Sequence, residues 1–167
     1  MEIALVLGIP LLGGLVLALV GHQRWAPEVN AAMSFATLCA AAWLTAKVVA
    51  DGPLVALEEQ FFVDPFNVFL VALTAFVGFT TALFSRPYMR IEEHHGRVNS
   101  ARLRLYHSMY QLFCFTMVLC LLSNNVGILW VALEGATLST VLLVSLYRTP
   151  ASLEAAWKYF ILCSVGI

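Results

Sequence analysis

Long apolar runs separated by short polar breaks make up most of the chain. Ile3 to Val20, Ala31 to Ala50, Phe66 to Phe84, Leu105 to Leu122 and Asn125 to Tyr147 are each close to the length of helix needed to cross a bilayer, which is roughly 20 residues for a hydrocarbon core of about 30 Å. The pattern predicts five membrane spans and an apolar helix after them. Pro10, with Gly8, Gly13 and Gly14, predicts a kinked first helix that packs closely on a neighbour. Alanines and other small residues give the second helix the same capacity, and Lys47 near its end is expected to snorkel toward the headgroups.

The breaks carry their own signals. His22 to Glu28 reads as a short polar turn, and Asp51-Gly52-Pro53 as a helix stop. Leu54 to Val63 mixes β-branched and aromatic residues with Glu58 and Glu59, which predicts a short extended segment at the membrane surface. Asp64-Pro65 reads as an N-cap followed by proline in the first helical turn. Ser85 to Arg104 is the only long hydrophilic stretch, expected as a connection with His94 and His95 in solvent. His107 and Tyr110 then stand at the mouth of the fourth span, where ring side chains favour the interface. Ser123-Asn124-Asn125 forms a tight turn, and a last helix starts at Thr149 or Ser152. Its apolar part, Leu153 to Ile167, covers roughly 22 Å at about 1.5 Å per residue, so the expectation is a sixth helix cut short in a fragment or a truncated product.

Composition agrees with lipid as the solvent. Of the 167 residues 61% are hydrophobic and 11% charged, where a soluble domain carries about 25% charged residues; mean hydropathy is +0.87. The fold class expected is all-α, a polytopic transmembrane bundle of five full helices and a truncated sixth, with residues 1–167 as a single transmembrane domain. A net charge of −1 gives no reason to expect nucleic acid as a partner. Cys39, Cys114, Cys120 and Cys163 all lie in apolar runs without metal-ligand spacing and are read as packing residues. No phosphate loop, nucleophile–base pattern or HExxH signature occurs.

Charge is unevenly placed. Arg24, the five arginines between Ser85 and Leu105, and Arg148 fall in loops on one side. Asp51, Glu58, Glu59 and Asp64 fall on the other, with Lys47 as the single dissenter inside its helix. The positive-inside rule therefore puts the arginines in the cytoplasm and the N-terminus outside.

Two ionisable residues stand out. Glu134 lies in the fifth span, about 12 Å from its start. A charge at that depth costs on the order of 3 kcal/mol on insertion scales, which makes a functional role the default reading. Gly135 and Ala136 leave room for a neighbour, Thr137 shares the helical face of Glu134, and Ser139 and Thr140 add hydroxyls of the kind a proton relay needs. Lys158, two turns into the last helix, can lose or carry a proton in a low-dielectric site. Against that, Glu154 four residues earlier makes a surface ion pair equally natural.

Three stretches, DPFNVFL…FSRPYM, LLSNNVGILWVALEGATLSTVLLV and SLEAAWKYFILCSVG, resemble the antiporter-like membrane subunits of respiratory complex I and its relatives. The resemblance is nearest to the component F type of hydrogenase-4, a membrane-bound group 4 [NiFe] hydrogenase, and is densest from Ser123 to Gly166. It implies a fold of about fourteen helices in two inverted repeats, of which this chain would be the N-terminal third. It implies further that Glu134 is the fifth-helix glutamate needed for proton translocation and that Lys158, within AAWKY, is the sixth-helix lysine. The broken seventh helix, whose lysine pairs with the glutamate in the family, has no counterpart in this sequence.

The function expected is that of a subunit in a redox-driven proton pump of the inner (plasma) membrane. The chain would carry no cofactor of its own. Iron–sulfur clusters and nickel–iron or flavin groups would reside in the other membrane and peripheral subunits, which together with the lipid bilayer are the expected partners. The alternatives are a non-catalytic truncated or assembly fragment, and part of a cation/proton antiporter complex.

Overall fold

The computed structural model describes residues 1–166. It contains α1 (Glu2–Val20), α2 (Ala26–Asp51), strands β1 (Leu54–Ala56) and β2 (Phe61–Val63), α3 (Pro65–His94), α4 (Ser100–Leu122), α5 (Val126–Val144), a 3₁₀ turn (Ser145–Tyr147) and α6 (Pro150–Gly166). Five segments, with α5 counted through Tyr147, are long and apolar enough to cross a membrane. Successive helices run up and down. α4 sits in the middle, packed against α1, α3 and α5, while α6 packs against α5 and the 3₁₀ turn.

Helix boundaries follow local chemistry. Asp64 caps α3 by accepting a 2.7 Å bond from the Asn67 amide, and Thr149 accepts from the Ser152 amide at the start of α6. Two boundaries differ from the expectation. α2 begins at Ala26, inside the supposed polar turn, because Pro27 in its first turn already has helical φ. The hydrophilic stretch after Phe84 is not a loop. α3 runs on through Pro87 to His94, and α4 starts at Ser100 with Asn99 as its cap. Ion pairs hold this extension. Glu28 of α2 takes Arg86 at 3.1 Å and also Arg90, and Arg97 reaches back to Glu92 at 2.9 Å. His107 consequently lies about two turns inside α4 and is buried rather than interfacial, as is Tyr110, whose hydroxyl donates to the Gly78 carbonyl.

The predicted extended segment is a two-stranded antiparallel hairpin pairing Leu54 with Val63 and Ala56 with Phe61. Its turn holds Leu57, Glu58 and Glu59 at positive φ (52°, 53° and 68°), a conformation that costs a non-glycine residue roughly 1–2 kcal/mol. The hairpin is tied to the α4–α5 turn: Phe61 bridges Ser123, and Asn124 and Asn125 bond Gln60. Asn67 adds bonds to the Phe62 and Leu121 carbonyls.

The core divides into two layers. At the hairpin end Val6, Leu44, Val48, Val68, Val71, Val118 and Leu122 form an apolar cluster. Toward the arginine-bearing end the same four helices bury Asn30, Ser34, His107, Ser108 and Gln111. Close approach of α1 explains Gly13 and Gly14, where an added Cβ would meet Met33 and the α4 backbone at 3.3 and 3.4 Å; Gly8 has no neighbour of this kind.

Candidate functional site

α5 starts from the Asn125 cap, whose side chain accepts from the Gly127 and Ile128 amides. Two turns in, near the middle of the helix, comes Glu134, half-buried. The next residue, Gly135, lies flat on α4: a Cβ there would stand 2.9 Å from Cγ2 of Thr116. That contact fixes the rotation of α5, with Ala132, Ala136 and Ser139 buried and Glu134 toward α6. Ser164 of α6 donates to Glu134 Oε1 at 3.4 Å, a long and weak bond that leaves the carboxylate capacity for further donors.

The neighbouring hydroxyls do not extend this contact. Thr137, Ser139 and Thr140 bond back to the carbonyls of Leu133, Gly135 and Ala136 of their own helix, at 3.1, 2.8 and 2.9 Å. Such back-bonding satisfies a hydroxyl inside an apolar helix. The sequence read Ser139 and Thr140 as hydroxyls open to a relay; here their protons are already committed.

Lys158 is not brought to Glu134. It lies six residues before Ser164, roughly 9 Å lower along the α6 axis, and its ammonium bonds Glu154 one turn earlier. Both side chains are on the outside of the bundle, 70% and 66% exposed. An apolar groove of about 300 Å³ runs beside them between α5 and α6, bordered by Leu138, Val141, Trp157 and Phe160. Trp130, Leu133, Leu138, Trp157, Ile161 and Leu162 present large exposed apolar surfaces on these two helices. In a membrane that face is covered by lipid or by other helices.

Lys47 does not simply snorkel. Its ammonium meets Glu2 at 2.6 Å, joining the end of α2 to the start of α1. The pair explains how two charges coexist at the hairpin end of otherwise apolar helices, since pairing is what makes such groups tolerable there.

The buried polar layer was missed in the sequence. Gln111 is fully buried and its amide nitrogen faces three acceptors, the Asn30 carbonyl (3.0 Å), Asn30 Oδ1 (2.8 Å) and Ser34 Oγ (2.9 Å). Ser108 donates to the Gly14 carbonyl at 2.9 Å. A signal was present: His107 and Gln111 on α4, like Asn30 and Ser34 on α2, are one turn apart and so share a face.

No protein-family model matches the chain. Over its full length it is 45% identical to the hydrogenase-4 component F homolog of Methylacidiphilum infernorum (isolate V4), of which it covers 34%. It is 28% identical over 98% of its length to the NADH-quinone oxidoreductase subunit L of Escherichia coli (strain K12), covering 28% of that protein. A third relative, subunit L of Buchnera aphidicola subsp. Baizongia pistaciae (strain Bp), is 30% identical over 66% of the chain. The chain thus spans about a third or less of the length of these curated relatives.

Proposed function

We propose, from its similarity to hydrogenase-4 component F and NADH-quinone oxidoreductase subunit L, that the chain is part of an antiporter-like membrane subunit in a redox-driven, proton-translocating complex of the inner membrane. Glu134 is the group that takes up and releases a proton within the membrane. The observation that carries this reading is a half-buried carboxylate in a spanning helix whose one side-chain partner among the described residues is a weak hydroxyl donor. Such a carboxylate is costly to keep and free to accept a further donor.

In this proposal Lys158 is the second relay group and works from the exposed α5–α6 face, where helices of the same complex would cover it. Redox centres (iron–sulfur with nickel–iron or flavin) belong to other subunits. The N-terminus lies outside, on the strength of the arginine distribution, with Arg24, Arg86, Arg90, Arg97, Arg102, Arg104 and Arg148 all at one end of the bundle.

The Glu154–Lys158 pair favours a second reading, in which α6 is scaffold and the pair is an ordinary surface contact. One experiment separates the two. Glu134→Gln and Lys158→Gln are placed in the full-length subunit within its complex, and proton uptake by inverted membrane vesicles is followed during electron transfer. The relay predicts that uptake falls at least about tenfold in each variant. Complex assembly should not change, because an exposed i,i+4 pair contributes only about 0.3–0.5 kcal/mol. Normal uptake in Glu134→Gln would end the proposal; normal uptake in Lys158→Gln alone would remove only the lysine from it.

A further inference from the structure

The polar layer between α1, α2 and α4 contains more hydrogen-bonding capacity than the protein itself satisfies. Gln111 Nε2 has two hydrogens for its three acceptors. Gln111 Oε1, Asn30 Nδ2 and His107 Nδ1 are buried with no partner among the described residues, and their residues are no more than 1% exposed. Glu28 Oε2 and Arg86 Nε, at the arginine-bearing end of the layer, are in the same condition. Buried polar atoms are almost always paired, with ordered water where protein groups fall short, and the requirement is stricter within a bilayer.

Space for water adjoins these atoms. A cavity of about 510 Å³ opens at the arginine-bearing end, bounded by the α1–α2 turn, the end of α3 and the start of α4, and His107 forms part of its wall. Three of the chain's four histidines border it, His22 and His94 with His107, together with Arg24, Arg90 and Glu93. Deeper in, between α2, α3 and α4, Ser34, Thr37, Thr74 and Gln111, with Phe79 and Cys114, line a void of about 10 Å³, about the room that one water molecule requires. Beyond it the apolar cluster of Leu44, Val71 and Val118 closes the bundle.

We propose that α1, α2, α3 and α4 enclose a blind, water-filled crypt that opens at the arginine-bearing end, passes His107 and ends at Ser34 and Gln111. It brings water and exchangeable protons roughly 12–16 Å into the bundle along α2 and α4. Its polar residues lie on the face of α4 turned to α1 and α2, whereas Thr116 meets Gly135 of α5. The crypt is therefore a separate solvent route from the surroundings of Glu134, and it stands whether or not Glu134 carries protons.

Two measurements on the full-length protein in membranes test it. In a background with the native cysteines changed to alanine, His107→Cys, in the wall of the larger cavity, and Val71→Cys are exposed in oriented vesicles to a small, membrane-impermeant cationic methanethiosulfonate. Modification of His107→Cys from the arginine-bearing side should be at least about tenfold faster than that of Val71→Cys, and slow from the other side. In the unsubstituted protein, solid-state NMR transfer from water should reach the Asn30 and Gln111 side-chain amides at the rate seen for exposed residues, well ahead of the Val118 methyls. Equal, slow labelling of both cysteines, or amide build-up as slow as that of Val118, would overturn the proposal. The NMR comparison decides the matter if the cysteine variants fail to fold.

Discussion

Gly135 of α5 faces Thr116 of α4 at a distance that excludes even a methyl group: an added Cβ would lie 2.9 Å from the threonine Cγ2. The contact joins the helix of Glu134 to the centre of the bundle and sets its rotation. Gly135→Ala should destabilise the protein by about 1–3 kcal/mol, the usual cost of overpacking. Thr116→Ser removes the offending Cγ2 while keeping the hydroxyl, so the double variant should regain most of the loss. Thermal unfolding of the four proteins in detergent reads the coupling; additive losses would show that the two residues do not meet.

Gln111 ties α4 to α2 through Asn30 and Ser34. Gln111→Leu keeps the approximate volume and removes the donor, leaving buried acceptors unmet at a cost of about 1–3 kcal/mol. Leu119→Ala, a trimming beside the apolar cluster, should behave differently. It costs stability without changing protection of the α2 amides near Asn30, whereas Gln111→Leu lowers that protection. Hydrogen exchange followed by mass spectrometry distinguishes them.

The hairpin turn makes an opposite prediction. Glu59 has φ 68° and is exposed, so glycine at this position relieves a left-handed conformation without removing a contact. Glu59→Gly should be neutral or stabilise by up to about 1 kcal/mol, although glycine elsewhere usually destabilises through the greater freedom of the unfolded chain. A clear fall in the unfolding midpoint would show that the glutamate side chain is needed there.

What the sequence revealed, and what it hid, divides by range. Spans are set by composition over some twenty residues, and the caps of Asp64 and Thr149 by side chains reaching one turn ahead, so both could be read directly. The end of the third helix could not. Polar residues from Ser85 onward resemble a loop until Glu28, more than fifty residues away, is seen to hold Arg86 and Arg90. The Gln111–Asn30 contact joins residues 81 apart and depends on the register of two helices, which no local pattern specifies. Glu134 was evident from its cost alone. Its surroundings were not, because whether a threonine bonds its own helix or a neighbour is a matter of rotamer.

The hairpin's bonds to the α4–α5 turn have a consequence for biogenesis. Asn124 and Asn125 reach partners 65 residues earlier in the chain. At a synthesis rate of roughly 5–20 residues per second, the hairpin is made about 3–13 seconds before the turn that fastens it. During that interval α3 and α4 are still being made and the rim at the hairpin end is unlatched, with Asn67 waiting for the Leu121 carbonyl as well. The rim closes only when the fifth helix begins to follow the fourth, so the order of translation sets the order of assembly.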